Sequence, residues 1–246
     1  MGEGQPLIVM HGVFGSSDNW QTVGKEFAAD HKVYLVDLRN HGKSPHSETF
    51  DYASMADDIV TLMDAEGMSS ANLLGHSMGG KVAMNLASRF PERVTKLIVV
   101  DIAPKYYPPH HSQIFQGFRS VDLSALKSRR DADEQMAKVI QNIGVRQFIL
   151  KNLDRDEHGN FIWKLNLDVI EKKANEIGAG MQDEASFDGV TLFISGGKSD
   201  YILPDDHENI KSRFPEASIK TIEGAGHWVH AERPNELKEM VLNFLA

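Results

Sequence analysis

The residues with the clearest chemical potential lie in the segment Gly75-His-Ser-Met-Gly79. This segment has the G-x-S-x-G pattern, in which a serine occupies a sharp turn between a strand and a helix, and small neighbours let the two backbones pass closely. A serine hydroxyl is a poor nucleophile at neutral pH unless a base within hydrogen-bond distance accepts its proton. The pattern therefore predicts Ser77 as a nucleophile, and it requires a base elsewhere in the chain.

That base is predicted to be His227, one of 11 histidines. It lies in the glycine-containing loop 224–227 after the last predicted strand, and it completes the chain order serine, acid, histidine. His230 is the competing candidate, but the glycines ahead of His227 allow its loop to turn inward. His76 is expected to point away from Ser77 and to have a structural role.

Two aspartates compete for the position of the acid that orients the histidine. Asp200 follows the strand before the last one, the commonest position for the acid when the residues come in this order. Asp101 ends the strand after the helix that follows the serine. Both would reach the same edge of a sheet, and an aspartate at a strand end often forms only a turn. The pattern of residues leaves both candidates open.

A tetrahedral oxyanion needs two backbone N–H donors in fixed positions. The residue after the serine, Met78, is expected to supply one. The second is expected from the loop after His11-Gly12, with Val13 as the preferred donor and Phe14 as the alternative. We expect five residues in and beside these motifs to line the substrate pocket: His11, Gly12, Phe14, His76 and Trp228.

Alternating apolar and amphipathic segments must position these groups. Short apolar runs predict buried strands at residues 7–10, 33–36, 72–75, 96–100, 190–194 and 218–222, and helical periodicity predicts helices at 20–29, 54–65, 81–90, about 206–214 and from 234 onward. The alternation is typical of an α/β fold with a mostly parallel sheet and helices on both faces. Functional groups in such folds lie at the carboxyl ends of the strands, where His11, Asp37, Ser77 and Asp101 fall.

The alternation stops between residues 105 and 187, where helical patterns at 131–143 and 165–177 predominate and no strong strand signal returns before Val190. A structureless loop of this length is uncommon. We therefore predict a helical cap at 105–187 inserted into a core domain of residues 1–104 and 188–246. Five basic residues of the cap could attract an anionic substrate tail, although surface charge usually only solvates a helix: Lys105, Arg119, Lys127, Arg129 and Arg130.

Composition disfavours several classes of function. The net charge of −9 disfavours non-specific binding to nucleic acid or to an anionic membrane. The chain has no cysteine, which excludes disulfides, thiolate metal sites and a catalytic cysteine. No stretch approaches the roughly 20 apolar residues of a membrane span, and the first residues lack the basic and apolar regions of a signal peptide. These features favour a cytoplasmic protein.

Five motifs, in this order, resemble the α/β-hydrolase superfamily, and more narrowly its bacterial YbfF-type esterases and the related ABHD11-like hydrolases. The motifs are His11-Gly-Val-Phe-Gly-Ser, Asp37-Leu-Arg-Asn-His-Gly-Lys-Ser, Gly75-His-Ser-Met-Gly-Gly, Asp101-Ile-Ala-Pro and Gly224-Ala-Gly-His-Trp-Val-His. The resemblance implies an ester or thioester hydrolase with a helical cap that uses no cofactor and no metal, with Ser77 as nucleophile and His227 as base.

The resemblance also ranks the two acids. The subgroup takes its acid from the Asp-Ile-Ala-Pro position, which corresponds to Asp101, and its position matching Asp200 generally lacks a carboxylate. This sequence departs from that pattern, so Asp200 remains the alternative. A second departure is the short segment ahead of the first apolar run, which predicts that the edge strands of the sheet are missing or poorly formed.

The main hypothesis is hydrolysis of a carboxylic ester or thioester through an acyl-enzyme on Ser77, with a short- to medium-chain acyl group and with acyl-CoA as one substrate class. Carbon–carbon bond hydrolysis on the same scaffold is one alternative, because it keeps the same residues. A non-catalytic ligand-binding protein is the other. We expect a small-molecule substrate, no nucleic-acid partner, and a monomer or weak homodimer.

Overall fold

The computed structural model describes residues 1–246 and has one large sheet flanked by helices. The strands are β1 (Gln5–Met10), β2 (His31–Val36), β3 (Ala71–His76), β4 (Val94–Val100), β5 (Leu153–Arg155), β6 (Phe161–Trp163), β7 (Thr191–Gly196) and β8 (Ala217–Ile222). The α-helices are α1 (Gln21–Phe27), α2 (Tyr52–Ala65), α3 (Met78–Arg89), α4 (Ser112–Arg119), α5 (Arg129–Met136), α6 (Ile143–Leu150), α7 (Leu167–Lys172), α8 (Ala174–Gly178), α9 (His207–Arg213), α10 (Val229–Glu232) and α11 (Pro234–Leu245).

Six strands form a parallel sheet in the order β2-β1-β3-β4-β7-β8, which confirms the predicted α/β architecture. The chain moves outward from β1 to β2 and then returns to the other side of β1 with β3. Such a reversal opens a crevice beyond the carboxyl ends of the strands. The register pairs Met10 with Gly75 and Gly75 with Val99, so the loops after β1, β3 and β4 begin side by side.

The strands are apolar along their length because helices cover both faces of the sheet. Ile8 and Met10 of β1 belong to a buried cluster that includes residues of α2 and α3. Leu7 and Val9 point to the opposite face and pack with residues of α1 and α11. The two clusters hold the sheet rigidly between helices, so its carboxyl edge is a stable platform for side chains.

The segment between β4 and β7 contains the short helices α4 to α8, and the predicted helices within it have the wrong extent. The helix predicted at 131–143 ends at Met136 with α5, and the next helix, α6, begins at Ile143, where the side chain of Asn142 caps it through the backbone N–H of Val145. The helix predicted at 165–177 is divided into α7 and α8 at Lys173. The boundaries of a cap at 105–187 stay a prediction.

The segment without a strong strand signal before Val190 nevertheless contains two strands, because β5 and β6 form an antiparallel hairpin. Each strand has three residues, too few to show a periodic pattern in the sequence. Asp156 fixes the connecting turn by accepting hydrogen bonds from the backbone N–H groups of His158 and Asn160 at 2.9 and 2.8 Å. No helix of the protein has both the length and the apolar character needed to cross a membrane.

Candidate active site

Ser77 occupies a strained turn between β3 and α3. Its φ of 53° and ψ of −118° lie in a region that residues with a side chain rarely adopt. A Cβ added to Gly75 would lie 2.2 Å from the carbonyl oxygen of Gly79, and one added to Gly79 would lie 2.4 Å from that of Met10. These two positions therefore need glycine, because only glycine lets α3 pass so close to β1 and β3.

His227 joins Ser77 to Asp101. Its Nε2 lies 3.0 Å from Oγ of Ser77, and its Nδ1 lies 2.7 Å from Oδ2 of Asp101. A carboxylate at Nδ1 keeps the ring proton on that nitrogen, so the lone pair of Nε2 is directed at the serine hydroxyl. Asp101 is fully buried, whereas the side chain of His227 is 24% exposed. The three groups form the hydrogen-bonded chain that activates a serine nucleophile.

The carboxylate of Asp101 is held by the backbone around it. A φ of 52° turns the chain directly after β4, and the N–H of Asp101 donates to the carbonyl of Ile194 at 2.7 Å. The carboxylate accepts hydrogen bonds from the backbone N–H of Gly196 at 2.9 Å and from the hydroxyl of Ser199 at 2.5 Å. These contacts fix the position of the carboxylate beside Nδ1 of His227.

Asp200, the alternative acid, is exposed and makes no hydrogen bond with His227. Its neighbours on both sides face the site instead. The hydroxyl of Ser199 binds Asp101, and the ring of Tyr201 stacks on His227 with centroids 3.7 Å apart. The loop after β7 thus turns Asp200 outward while it contributes the residues next to it. Sequence reasoning missed both neighbours.

The competing candidate His230 and the neighbouring His76 lie near His227, and neither forms a hydrogen bond with Ser77. The Nε2–H of His76 donates to the backbone carbonyl of His227 at 2.8 Å, so His76 fixes the loop that carries the base. His230 stacks on Trp20 with ring centroids 4.5 Å apart. Burial lowers the pKa of His230 to about 3 and the pKa of His76 well below its ordinary value, and the neighbouring His227 adds to both shifts. Both rings are therefore neutral packing groups.

The loop after β1 is shaped by two buried histidines. The Nδ1–H of His11 donates to the carbonyl of Gly12 at 2.8 Å, and its Nε2 accepts the N–H of Leu38 at 3.0 Å. Nε2 of His41 accepts the N–H of Phe14 at 3.3 Å. Burial lowers the pKa of His11 and lowers that of His41 to about 3, so both rings remain neutral acceptors.

These contacts separate the two candidates for the second oxyanion donor. The N–H of Phe14 already has an acceptor, whereas the N–H of Val13 has none within the protein. The N–H of Met78 belongs to the first turn of α3, where no helical carbonyl can accept it. Asn152, another residue that the sequence analysis missed, donates from Nδ2 to the carbonyl of Phe14 at 2.8 Å and so connects the segment between β4 and β7 to this loop.

A cavity of about 190 Å³ opens over Ser77. All five residues predicted to line a pocket line this cavity, together with aromatic and aliphatic side chains from the segment between β4 and β7. Among its walls are His11, Gly12, Phe14, His76, His111, Ile114, Phe148, His227 and Trp228. A smaller space of about 20 Å³ adjoins Ser77 and Met78 on the side of Tyr107 and Tyr201. The serine therefore lies where a larger apolar compartment meets a smaller one.

No group of three or more histidine, aspartate or glutamate side chains is arranged to hold a metal ion. Lys81, one turn after Ser77 on α3, is buried and donates from Nζ to the backbone carbonyls of Lys105 and Gly178, each at 3.0 Å, and to that of Ala179. It therefore ties α3 to the segment between β4 and β7. No sequence pattern marks this contact, because its acceptors are backbone atoms.

The parallel sheet, the strained serine turn and the Ser77–His227–Asp101 chain are features of one class of proteins. Residues 5–234 match the family described as alpha/beta hydrolase fold, and the chain belongs to that family. This match confirms the resemblance that the sequence motifs carry.

Particular relatives match almost the whole chain. The sn-1-specific diacylglycerol lipase ABHD11 of Mus musculus is 38% identical over 248 residues, which cover 98% of this chain and 80% of the relative. Esterase YbfF of Escherichia coli (strain K12) is 36% identical over 241 residues, 98% of this chain and 92% of the relative. A solved structure described as a marine microorganism esterase is 41% identical, has a TM-score of 0.96, and is matched over 99% of this chain and 96% of its own.

Proposed function

We propose that this protein is a serine hydrolase of carboxylic esters that works through an acyl-enzyme on Ser77. The observation that carries the proposal is the position of His227, which lies 3.0 Å from Oγ of Ser77 and 2.7 Å from Oδ2 of Asp101. The names of the relatives, an esterase and a diacylglycerol lipase among them, support the same class of reaction.

In the first half of the reaction, Oγ of Ser77 attacks the ester carbonyl carbon while Nε2 of His227 takes the hydroxyl proton. The N–H groups of Val13 and Met78 stabilise the oxyanion of the tetrahedral intermediate. Asp101 stabilises the imidazolium and is not itself protonated. When the intermediate collapses, His227 returns the proton to the leaving alkoxide, and the alcohol departs while the acyl group remains on Ser77.

In the second half, a water molecule attacks the acyl carbon and His227 takes a proton from it. Collapse of the second intermediate breaks the bond to Oγ, and the proton on His227 returns to Ser77. The products are one carboxylic acid and one alcohol, and the enzyme is restored. The same steps would cleave a thioester, with a thiol as the leaving group.

The volume of the cavity and the pairing of basic residues in the segment between β4 and β7 favour a small, uncharged ester. Its volume of about 190 Å³ is below the roughly 300–1,000 Å³ of pockets that enclose drug-sized ligands, which favours a short- to medium-chain acyl group. Two of the five basic residues that could attract an anionic tail are already paired with carboxylates: Arg119 with Asp168 and Glu171, and Lys105 with Asp206. These pairings favour an uncharged ester over acyl-CoA.

Hydrolysis of p-nitrophenyl esters from acetate to palmitate tests the proposal. We expect the parent protein to be most active on the shorter esters, and we expect Ser77→Ala to reduce turnover to the background rate. Ser88→Ala is the matched control, because Ser88 lies at the other end of the same helix and bonds only to the carbonyl of Asn85 there. Equal rates for the parent and Ser77→Ala would contradict the proposal.

Labelling with a fluorophosphonate tests the reactivity of Ser77 independently of ester hydrolysis. It therefore gives a result even if the cavity excludes the whole series of esters. The probe phosphonylates an activated serine, so mass spectrometry should place one label on Ser77 in the parent and in Ser88→Ala. Absence of both ester hydrolysis and labelling would favour the alternative of a non-catalytic ligand-binding protein.

A further inference from the structure

Two hydrogen bonds alone do not fix the ring of His227. The bonds to Asp101 and Ser77 leave from opposite ends of the imidazole, so the ring can still tilt about the line that joins them. Tilting moves the lone pair of Nε2 out of line with the serine hydroxyl. The bond from His76 to the carbonyl of His227 fixes the backbone of this loop, but it does not contact the imidazole ring itself.

The aromatic ring of Tyr201 covers a face of this imidazole. The two ring centroids lie 3.7 Å apart and the planes differ by 15°. This is closer than the roughly 4.5–7 Å of most aromatic pairs, so rotation of the imidazole out of its plane would drive it into the tyrosine ring. The π face also interacts favourably with the imidazolium cation that forms during the reaction.

Tyr201 is itself held in place from several directions. Its hydroxyl lies 2.5 Å from Nε2 of His110, whose Nδ1–H donates to the carbonyl of Pro108 at 2.9 Å and so leaves Nε2 as the acceptor. Its carbonyl accepts the hydroxyl of Tyr107, and the rings of Tyr107 and Tyr201 stack 5.3 Å apart. The ring that covers His227 is therefore fixed by the chain that follows β4.

The same loop also supports the acid. The N–H of Tyr201 donates to Oγ of Ser199 at 3.3 Å, and the hydroxyl of Ser199 donates to Oδ2 of Asp101, the oxygen that also binds His227. Residues 199 and 201 thus contact the acid and the base from one short segment. Burial, reinforced by the charge of Asp101, raises the pKa of Tyr201 to about 12, so its hydroxyl stays protonated.

We propose that Tyr201 is a positioning residue for the reaction, which holds the imidazole of His227 in line with Ser77 by stacking on it and which is itself held by His110 and Tyr107. This inference rests on the proposed function. It assigns a kinetic role to a side chain that does not take part in proton transfer.

The test compares Tyr201→Leu with Tyr201→Phe. Leucine fills much of the space but has no flat ring, so we expect kcat to fall by about 10- to 100-fold, in keeping with the cost of small misalignments in an active site, while KM changes by less than about threefold. Phenylalanine keeps the stack and loses only the bond to His110, so it should retain kcat within about fivefold. Tyr106→Leu is the matched control, because that tyrosine is 57% exposed in the same region.

Thermal unfolding of each variant separates misfolding from misalignment, and the rate of fluorophosphonate labelling at Ser77 reports activation of the serine independently of ester binding. Slow labelling of folded Tyr201→Leu, with normal labelling of Tyr201→Phe, supports the inference. A folded Tyr201→Leu with unchanged kcat, or one that changes only KM, overturns it and leaves the proposed function intact. A parent protein with neither ester hydrolysis nor labelling overturns both.

Discussion

The carboxylate of Asp101 lies 2.7 Å from Nδ1 of His227, although 126 residues separate the two in the chain. The parallel register brings them together, since β4, β7 and β8 are neighbours and their carboxyl ends meet at one edge. The other aspartate at this edge, Asp200, is exposed. This contrast gives a direct test of which carboxylate orients the base.

We expect Asp101→Asn to lower kcat by about 10³- to 10⁴-fold, because an amide in this place favours the wrong tautomer of the histidine. Asp200→Asn should change kcat by less than about threefold, since its side chain is exposed and away from His227. Both substitutions remove one charge and keep the shape of the side chain, so each serves as the control for the other. Steady-state kinetics on a short p-nitrophenyl ester provides the measurement, and a larger loss in Asp200→Asn would contradict the assignment.

The sequence was sufficient to predict the architecture and the turn at Ser77, for identifiable reasons. Continuous apolar runs such as the one in β1 occur where both faces of a strand are covered, and the spacing of Gly75 and Gly79 reflects a backbone contact that no side chain would fit. These are local consequences of the fold, so the local sequence carries them.

Other features depend on contacts between distant segments. Residues alone could not choose between Asp101 and Asp200, because both follow strands that end at the same edge, and only the path of the following loop decides which side chain turns inward. The ring of Tyr201 stacks on His227, and the side chain of Asn152 donates to the backbone carbonyl of Phe14. Neither contact requires a residue pattern that can be recognised in the sequence. The helix at 131–143 was predicted too long because its apolar spacing continues past Met136, where α5 ends, and the next helix begins only after the cap residue Asn142.

The close approach of α3 to β1 gives a prediction about stability. A methyl group on Gly79 would lie 2.4 Å from the carbonyl oxygen of Met10 and 2.6 Å from that of His11, and both are backbone atoms that cannot rotate away. We expect Gly79→Ala to lower the free energy of unfolding by about 1–3 kcal/mol, the usual range for overpacking. Urea denaturation followed by circular dichroism measures the change.

The control for this substitution is Gly144→Ala, which also places alanine in a helix. Its Cβ would meet only the side-chain oxygen of Asn142, at 3.2 Å, and the gain in helix propensity is up to about 1 kcal/mol. The side chain of Asn142 can shift to relieve this contact, so we expect this variant to lose much less stability than Gly79→Ala. Equal effects of the two substitutions would show that the backbone contact at Gly79 is unimportant.

The buried histidines predict a loss of stability in mild acid. Burial lowers the pKa of His41, His111 and His230 to about 3, whereas in the unfolded chain each takes up a proton near pH 6.5. The unfolded state therefore binds more protons between pH 6.5 and pH 3, and the free energy of unfolding falls as the pH falls through this window. Each such histidine contributes a slope of up to about 1.4 kcal/mol per pH unit.

Replacing one of these histidines should reduce that slope. His230→Phe keeps the stacking on Trp20, and the Nδ1 that it removes is buried without a hydrogen-bond partner. We expect its free energy of unfolding to fall less than that of the parent between about pH 6.5 and pH 4.5, as measured by urea denaturation at a series of pH values. Parallel curves for the two proteins would mean that His230 is not neutral in the folded state.

Lys81 gives a prediction about how the segment between β4 and β7 is attached. Its Nζ is the donor for three backbone carbonyls, those of Lys105, Gly178 and Ala179, which lie at the two ends of that segment. Methionine has a similar length and no donor, so Lys81→Met would leave the carbonyls of Lys105 and Ala179 without their donor, whereas that of Gly178 keeps the N–H of Tyr107. We expect a loss of about 1–3 kcal/mol, as for other buried groups without a partner, and faster proteolysis between residues 105 and 180.

Lys96→Met separates this attachment from a general effect of losing a lysine. Nζ of Lys96 also donates to backbone carbonyls, those of Phe244 and Leu245 at 2.8 and 2.9 Å, but these belong to the end of α11. Limited proteolysis with mass spectrometry should therefore show new cleavage between residues 105 and 180 in Lys81→Met only, whereas Lys96→Met should loosen only the end of α11. The same cleavage pattern in both variants would mean that Lys81 contributes to general stability and does not hold this segment on α3.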